Sequence, residues 1–143
     1  MIQKPLMRIL EKEIPDLNWS INYRTADDHT GTVYSTGGSK PDKYDTNYRY
    51  PSYQVYIRSS DWDYAETLAH KVFDILHKKE NFNVTTSYKR DGITLLDKRY
   101  HVFLITASSD ILRVGVNKGV MEYSVNFDVD LIESKEETTN GTR

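Results

Sequence analysis

Four groups of side chains have the types and spacing to do chemistry. Glu66, His70, Asp74 and His77 recur at helical intervals, so a helix there would present two carboxylates and two imidazoles together, a donor set suited to a metal ion. That face lies opposite the helix's apolar arc, where residues of these types are ordinarily just solvated. Asp27, Asp28 and His29 adjoin one another, and an acid–imidazole pair can act as a general base. No nucleophile or set of oxyanion donors stands beside them, so turn chemistry is the better reading. Gly37, Gly38, Ser39 and Lys40 share residue types with a phosphate loop, but the spacing GxxxxGK[ST] between a strand and a helix is not met. Lys89-Arg90 and Lys98-Arg99, next to Tyr88 and Tyr100, could neutralise and stack against a nucleic acid strand. The bland alternative is that these cations keep strand ends soluble. None of the groups earns assignment as a catalytic, cofactor-binding or metal site, and the expectation is a protein that is not an enzyme.

The bulk composition reads as that of a soluble cytosolic protein and does not reveal a function. The 143 residues carry 19 Lys and Arg against 21 Asp and Glu, a net charge of -2 that gives no general attraction to phosphate backbones. There is no cysteine, which removes disulfides and thiolate metal sites and suits a reducing cytoplasm. The opening MIQKPLMRILEKEIP has no apolar run long enough for a signal peptide, and no segment approaches a membrane span. In that setting the Asn-X-Ser/Thr sequons at Asn18, Asn83 and Asn140 carry no weight.

The elements that would position these side chains follow from periodicity. Ile2, Leu6, Ile9 and Leu10 predict a short amphipathic helix closed by Ile14 and Pro15. Trp19, Ile21 and Tyr23 alternate with polar residues as a half-buried strand. Residues 25–52 are rich in Gly, Ser, Thr, Asp and Pro and read as a long loop or hairpin arm, with Val33 and Tyr34 in one arm and Gly37-Gly38 at its turn. Tyr53, Val55 and Ile57 form the next strand. A helix follows, started by Ser60 with Asp63, or by Asp61. Its arc is Tyr64, Leu68, Val72 and Ile75, widened by Ala65, Ala69 and Leu76, with a stop near Asn81. FNVTTSYK, a turn at Arg90-Asp91-Gly92, ITLL and the apolar RYHVFLITA come next, then a connection, SSDILRVGVNKG. The last strand alternates Met121, Tyr123, Val125, Phe127, Val129 and Leu131 with polar residues, which specifies its register strongly. The sum is α+β: a mainly antiparallel sheet packed by an N-terminal helix and a central helix. One domain is expected over residues 1–133, with 134–143 as a disordered tail.

Tyrosine is unusually frequent, at eleven residues. Tyr44, Tyr48 and Tyr50 lie where no period puts them inside, and loop tyrosines offer large contact area at modest entropic cost. With Tyr34, Trp62 and Arg90 they are the expected subunit or partner interface.

The run VYIRSSDWDYAETLAHKVFDIL, with Tyr64, Leu68, Val72 and Leu76 in its helix, resembles the strand-then-helix core of minor capsid or tail-terminator proteins of long-tailed bacteriophages. YHVFLITASS, ILRVGVNKGVMEYSVNF and the stretch Glu122, Tyr123, Ser124, Asn126 and Phe127 are similar to the way that group ends. The resemblance spans residues 53–132. It implies a ring, expected to be a hexamer of this chain. Such a ring caps the major tail tube protein, stops polymerisation and receives a head-completion or connector protein. It implies a virion location, no membrane, and DNA passing through the lumen without specific binding, with Glu122, Asp128 and Asp130 as lumen acids. Two rivals remain: another head-completion, neck or tail-tube-like ring protein, and a small nucleic-acid-binding or regulatory α+β domain.

Overall fold

The computed structural model describes residues 1–134; the expected C-terminal tail lies almost wholly outside them. Helix α1 (Gln3–Glu13) buries Leu6 and Leu10, as their spacing requires, and Ile2 and Ile14 extend its apolar face at either end. The Ile2 N–H donates to the Tyr53 hydroxyl at 3.0 Å, fixing the start of α1 to the sheet. Strand β1 (Asn18–Ile21) is shorter than its alternation suggested: Asn22 turns to φ +66° and leaves Tyr23 exposed.

The main correction concerns residues 25–52. Most of them belong to the sheet. Strand β2 (Thr30–Ser39) pairs antiparallel with β3 (Tyr48–Ser59), leaving only a short connection at 40–47. Gly37 and Gly38 are not the turn; they sit inside β2 where its register against β3 shifts, and both have positive φ. A Cβ at Gly38 would stand 2.3 Å from the Tyr50 carbonyl oxygen, so only glycine fits this bulge.

Helix α2 (Trp62–Leu76) buries Ala65, Leu68, Ala69, Val72 and Leu76; Ile75 and Tyr64 sit at the margins of that arc. Its N-cap is Asp61, whose carboxylate accepts from the Tyr64 N–H, whereas Ser60 bonds elsewhere. It ends at Leu76, before Asn81, because Lys78 turns to φ +70°. Strands β4 (Glu80–Arg90) and β5 (Ile93–Ala107) form a long hairpin closed by Asp91 and Gly92, both at positive φ as a two-residue turn between twisted strands requires. The supposed connection after β5 contains a further strand, β6 (Leu112–Asn117), which forms a second tight hairpin with β7 (Val120–Ser134).

The seven strands make one sheet in the order β1-β2-β3-β7-β5-β4, with β6 paired to the first residues of β7. All pairings are antiparallel except β1 with β2. Both helices lie on the same side. Helix α1 touches β1 and β2 near one edge and β4 at the other, so the sheet curls around it. Tyr53, Val55, Ile57, Val125, Phe127, Val129 and Leu131 face the helices in one buried cluster. The opposite side carries the alternate residues of the same strands and, among the described residues, has no helix over it.

Candidate interaction surfaces

The groups that could have done chemistry are dispersed or used structurally. Among the described residues no cluster of His, Cys, Asp and Glu is arranged to hold a metal ion. Glu66 and His70 approach to 3.9 Å on the solvated face of α2. His77 is not on that face: it follows the last turn, packs on Phe73, and its Nδ1 accepts the Ala107 N–H at 2.9 Å. Asp28 and His29 do meet a hydroxyl, since Ser59 Oγ lies 2.9 Å from His29 Nδ1. Ser59 is wholly buried and its oxygen accepts the Asp61 N–H, so no substrate reaches it. Asp28 instead clamps the start of α2, accepting from the Ser60 N–H at 2.8 Å and from its hydroxyl. These bonds, led by the hydroxyl, hold its carboxyl below the usual range.

The basic and aromatic pairs also separate. Tyr100 is buried, its phenol pushed up to about 12 chiefly by desolvation, and it cannot stack on a base. Lys98 is paired with Glu133 at 3.1 Å. Lys89 joins Lys4, Arg8 and Lys79 around a groove of about 790 Å³ between α1 and β4, floored by Ile9, Phe82 and Val84. Arg90 stands exposed at the tip of the β4–β5 hairpin.

On the helix-free side of the sheet, side chains link directly across strands. Arg58 donates through Nε to Glu122 at 2.8 Å, with side-chain exposures of only 6% and 11%. The Tyr56 hydroxyl donates to the same carboxylate at 2.9 Å. Desolvation first, then that bond and charge, push the Tyr56 phenol up to about 12. Gln54 donates to Ser124, and Ser52 to Asp128 at 2.7 Å. Glu122 was expected among the outward acids; it is buried in an ion pair instead, because β3 brings a guanidinium opposite it. Asp128 is exposed and Asp130 half-buried on this face.

The expected interface tyrosines divide similarly. Tyr48 stacks on Phe103 at 5.4 Å and tilts against Tyr50, so both rings lie half-buried on their own sheet. Tyr34 is half-buried on β2. Tyr44 is 89% exposed at the 40–47 turn, which Asp42 holds by accepting the Tyr44 and Asp45 N–H groups at 2.9 Å each. Trp62 is half-exposed, its Nε1 donating to the Gly119 carbonyl at 3.0 Å. Sequence reasoning passed over Ile93, Leu95, Leu96, Leu112, Val114 and Val116, all exposed. The available signal was ITLL beside a turn, read there only as strand.

A family model described as bacteriophage tail terminator protein matches residues 12–131, from the last turn of α1 to the end of the buried part of β7. The chain belongs to the bacteriophage tail terminator family. The matched range takes in residues 25–52 as well, and with them the β2–β3 hairpin. No curated protein matches the chain. Terminators are virion components.

Proposed function

We propose that this terminator works as a closed ring, a hexamer on the expectation above. It sits at the head-proximal end of the tail tube, stops tube polymerisation, presents a surface to the head connector, and has no catalytic role. Membership of the terminator family over residues 12–131 carries the reading. The architecture supports it: a ring of identical copies needs two unlike contact surfaces on each copy, and a curled sheet with open outer edges and one helix-free side offers unlike faces. In this reading the helix-free side lines the lumen, with Asp128 and Asp130 as the accessible acids that repel DNA sliding past; Glu122, being paired, contributes no free charge there.

The test is genetic. A phage lacking this chain should make tails of uncontrolled length that carry no heads. Tails of normal length beside unjoined or leaking heads would assign it to head completion instead. For the lumen acids, Asp128→Asn with Asp130→Asn should slow DNA ejection; unchanged ejection would remove them from that role.

A further inference from the structure

Two exposed apolar surfaces have no cover among the described residues. The first is the tip of the β4–β5 hairpin. Every residue from Ser87 to Asp97 is exposed, and the stretch includes Tyr88, Leu96, Ile93 and Leu95, the last two at 66% each. Tyr88 pairs with Leu96 and Arg90 with Ile93, so Tyr88, Leu96 and Ile93 share one face of the ribbon, and Leu95 stands at the register shift between those pairs. A two-stranded ribbon with four exposed apolar side chains has nothing among the described residues to pack on, and such patches mark contact sites. The last residue of β5 with a partner on β7 is Arg99, opposite Ser134. The six residues before it therefore project roughly 20 Å past the end of β7.

The second surface is β6. Leu112, Val114 and Val116 are all exposed; the register against β7 shifts at Val114, so Leu112 lies on the Ser124 side of this edge and Val116 on the Met121 side. Among the described residues β6 pairs only with β7, so its outer edge is open. Trp62 lies alongside, tied to the β6–β7 turn at Gly119. This surface sits at the Val120–Ser124 end of β7, and the hairpin leaves from the Ser134 end. Roughly 40 Å of strand separates them, and the hairpin points away. One copy cannot bring its own two patches together; two copies can.

The charges agree with that meeting. The tip carries Lys89 and Arg90 against Asp91, with Asp97 at its base. Beside β6, the first turns of α2 present Asp61, Asp63 and Glu66, with Arg113 and the β6–β7 turn's Lys118 as the cations nearby; desolvation chiefly raises the Tyr123 phenol, and Glu66 and then Asp63 add to it. A basic apolar tip and an acidic apolar edge, unlike and at opposite poles, suit a head-to-tail contact that repeats from copy to copy.

We propose that the β4–β5 hairpin tip of one copy packs on the β6 edge and α2 start of the next, forming the contact between neighbours in the ring. This rests on the ring reading above and names its surfaces. The chain has no cysteine, so introduced thiols report cleanly. The Leu95→Cys, Val114→Cys double variant, mildly oxidised, should give a ladder of covalent multimers on a non-reducing gel, ending at the ring and collapsing with reductant. Each single variant should give no ladder. Leu95→Asp should raise the concentration for half-assembly tenfold or more by light scattering while leaving the melting temperature of the monomer unchanged. A ring that assembles without the ladder, and equally well with Leu95→Asp, overturns this contact but leaves the ring. A ring that assembles with Leu95→Asp but no longer binds tail tubes assigns the hairpin to the tube and likewise overturns it. A strict monomer at every concentration overturns the ring and this contact together.

Discussion

Replacing Glu122 by Ala should unfold the domain far more easily than its place on an open sheet face suggests. Its carboxylate lies 2.8 Å from Arg58 Nε, both side chains are nearly out of solvent, and Tyr56 donates to it as well. An exposed pair would be worth at most about 1 kcal/mol. A buried guanidinium left without its counter-charge costs about 3–5 kcal/mol. Arg58 keeps a bond from Nη1 to the Asp27 carbonyl, which puts the expected loss at the lower end of that range. For a chain of this size each kcal/mol moves Tm by about 2–4 °C, so a fall of about 6–12 °C is expected. The assay is a thermal melt with a matched urea titration at one fixed protein concentration, since assembly also shifts Tm. Arg58→Met combined with Glu122→Leu should lie closer to the wild type than Glu122→Ala alone, because no charge is stranded. In Glu122→Ala the Tyr56 phenol should drop part of the way from about 12 toward its ordinary value; burial, its main cause, remains. A loss under about 1 kcal/mol for Glu122→Ala would refute the reasoning and return Glu122 to the solvated acids.

Other substitutions and conditions probe separate parts of the fold. Gly38→Ala should destabilise by about 1–3 kcal/mol from the φ of +115° alone, and further from the clash with Tyr50; a urea midpoint at the wild-type value would show that the bulge can relax. Tyr56 and Tyr100 have phenols raised to about 12 and Tyr53 is raised still higher, so the native state favours their neutral forms. Their contribution is complete below pH 10 and is lost as pH rises toward 12; an ultraviolet titration should show them ionising with unfolding, and early, independent ionisation would contradict their burial. Asp28 is shifted the other way, so its contribution is present above its ordinary carboxylate range and fades as pH falls through and below it. Asp28→Ala should cost about 1 kcal/mol at pH 7, and clearly less once acid has protonated the wild-type carboxylate; an equal cost at both pH values would exclude the charged clamp.

The two helices and the last strand were legible because one face of each is buried and one is wet, so periodicity records their environment. Val125, Phe127 and Val129 could hardly face anywhere else. Strand β2 was illegible for a local reason. Gly31 holds its place because the Trp19 ring occupies the space where a Cβ would be, Thr30 and Thr32 are buried on the polar side, and Gly37-Gly38 form a bulge. Its composition therefore imitates a loop. Strand β6 was hidden differently: its apolar residues are exposed, so they serve no core and set no inward period. Charge told even less about the surface. Glu122 and Asp128 are both outward positions of one strand, and only the partner strand decides that one is locked to Arg58 and the other, bonded to the Ser52 hydroxyl, stays exposed. The interface tyrosines show the same limit, since Tyr48 finds Phe103 fifty-five residues away in sequence.

In the proposed function this chain ends tail tubes by capping them. Purified chain added to purified tail tube protein during polymerisation, with tube lengths measured by electron microscopy, tests it most directly. Added chain should halt elongation, shorten the mean tube in proportion to its amount, and leave a ring at one end of each tube. Tubes that grow to the same lengths at every ratio, with bare ends, would contradict it.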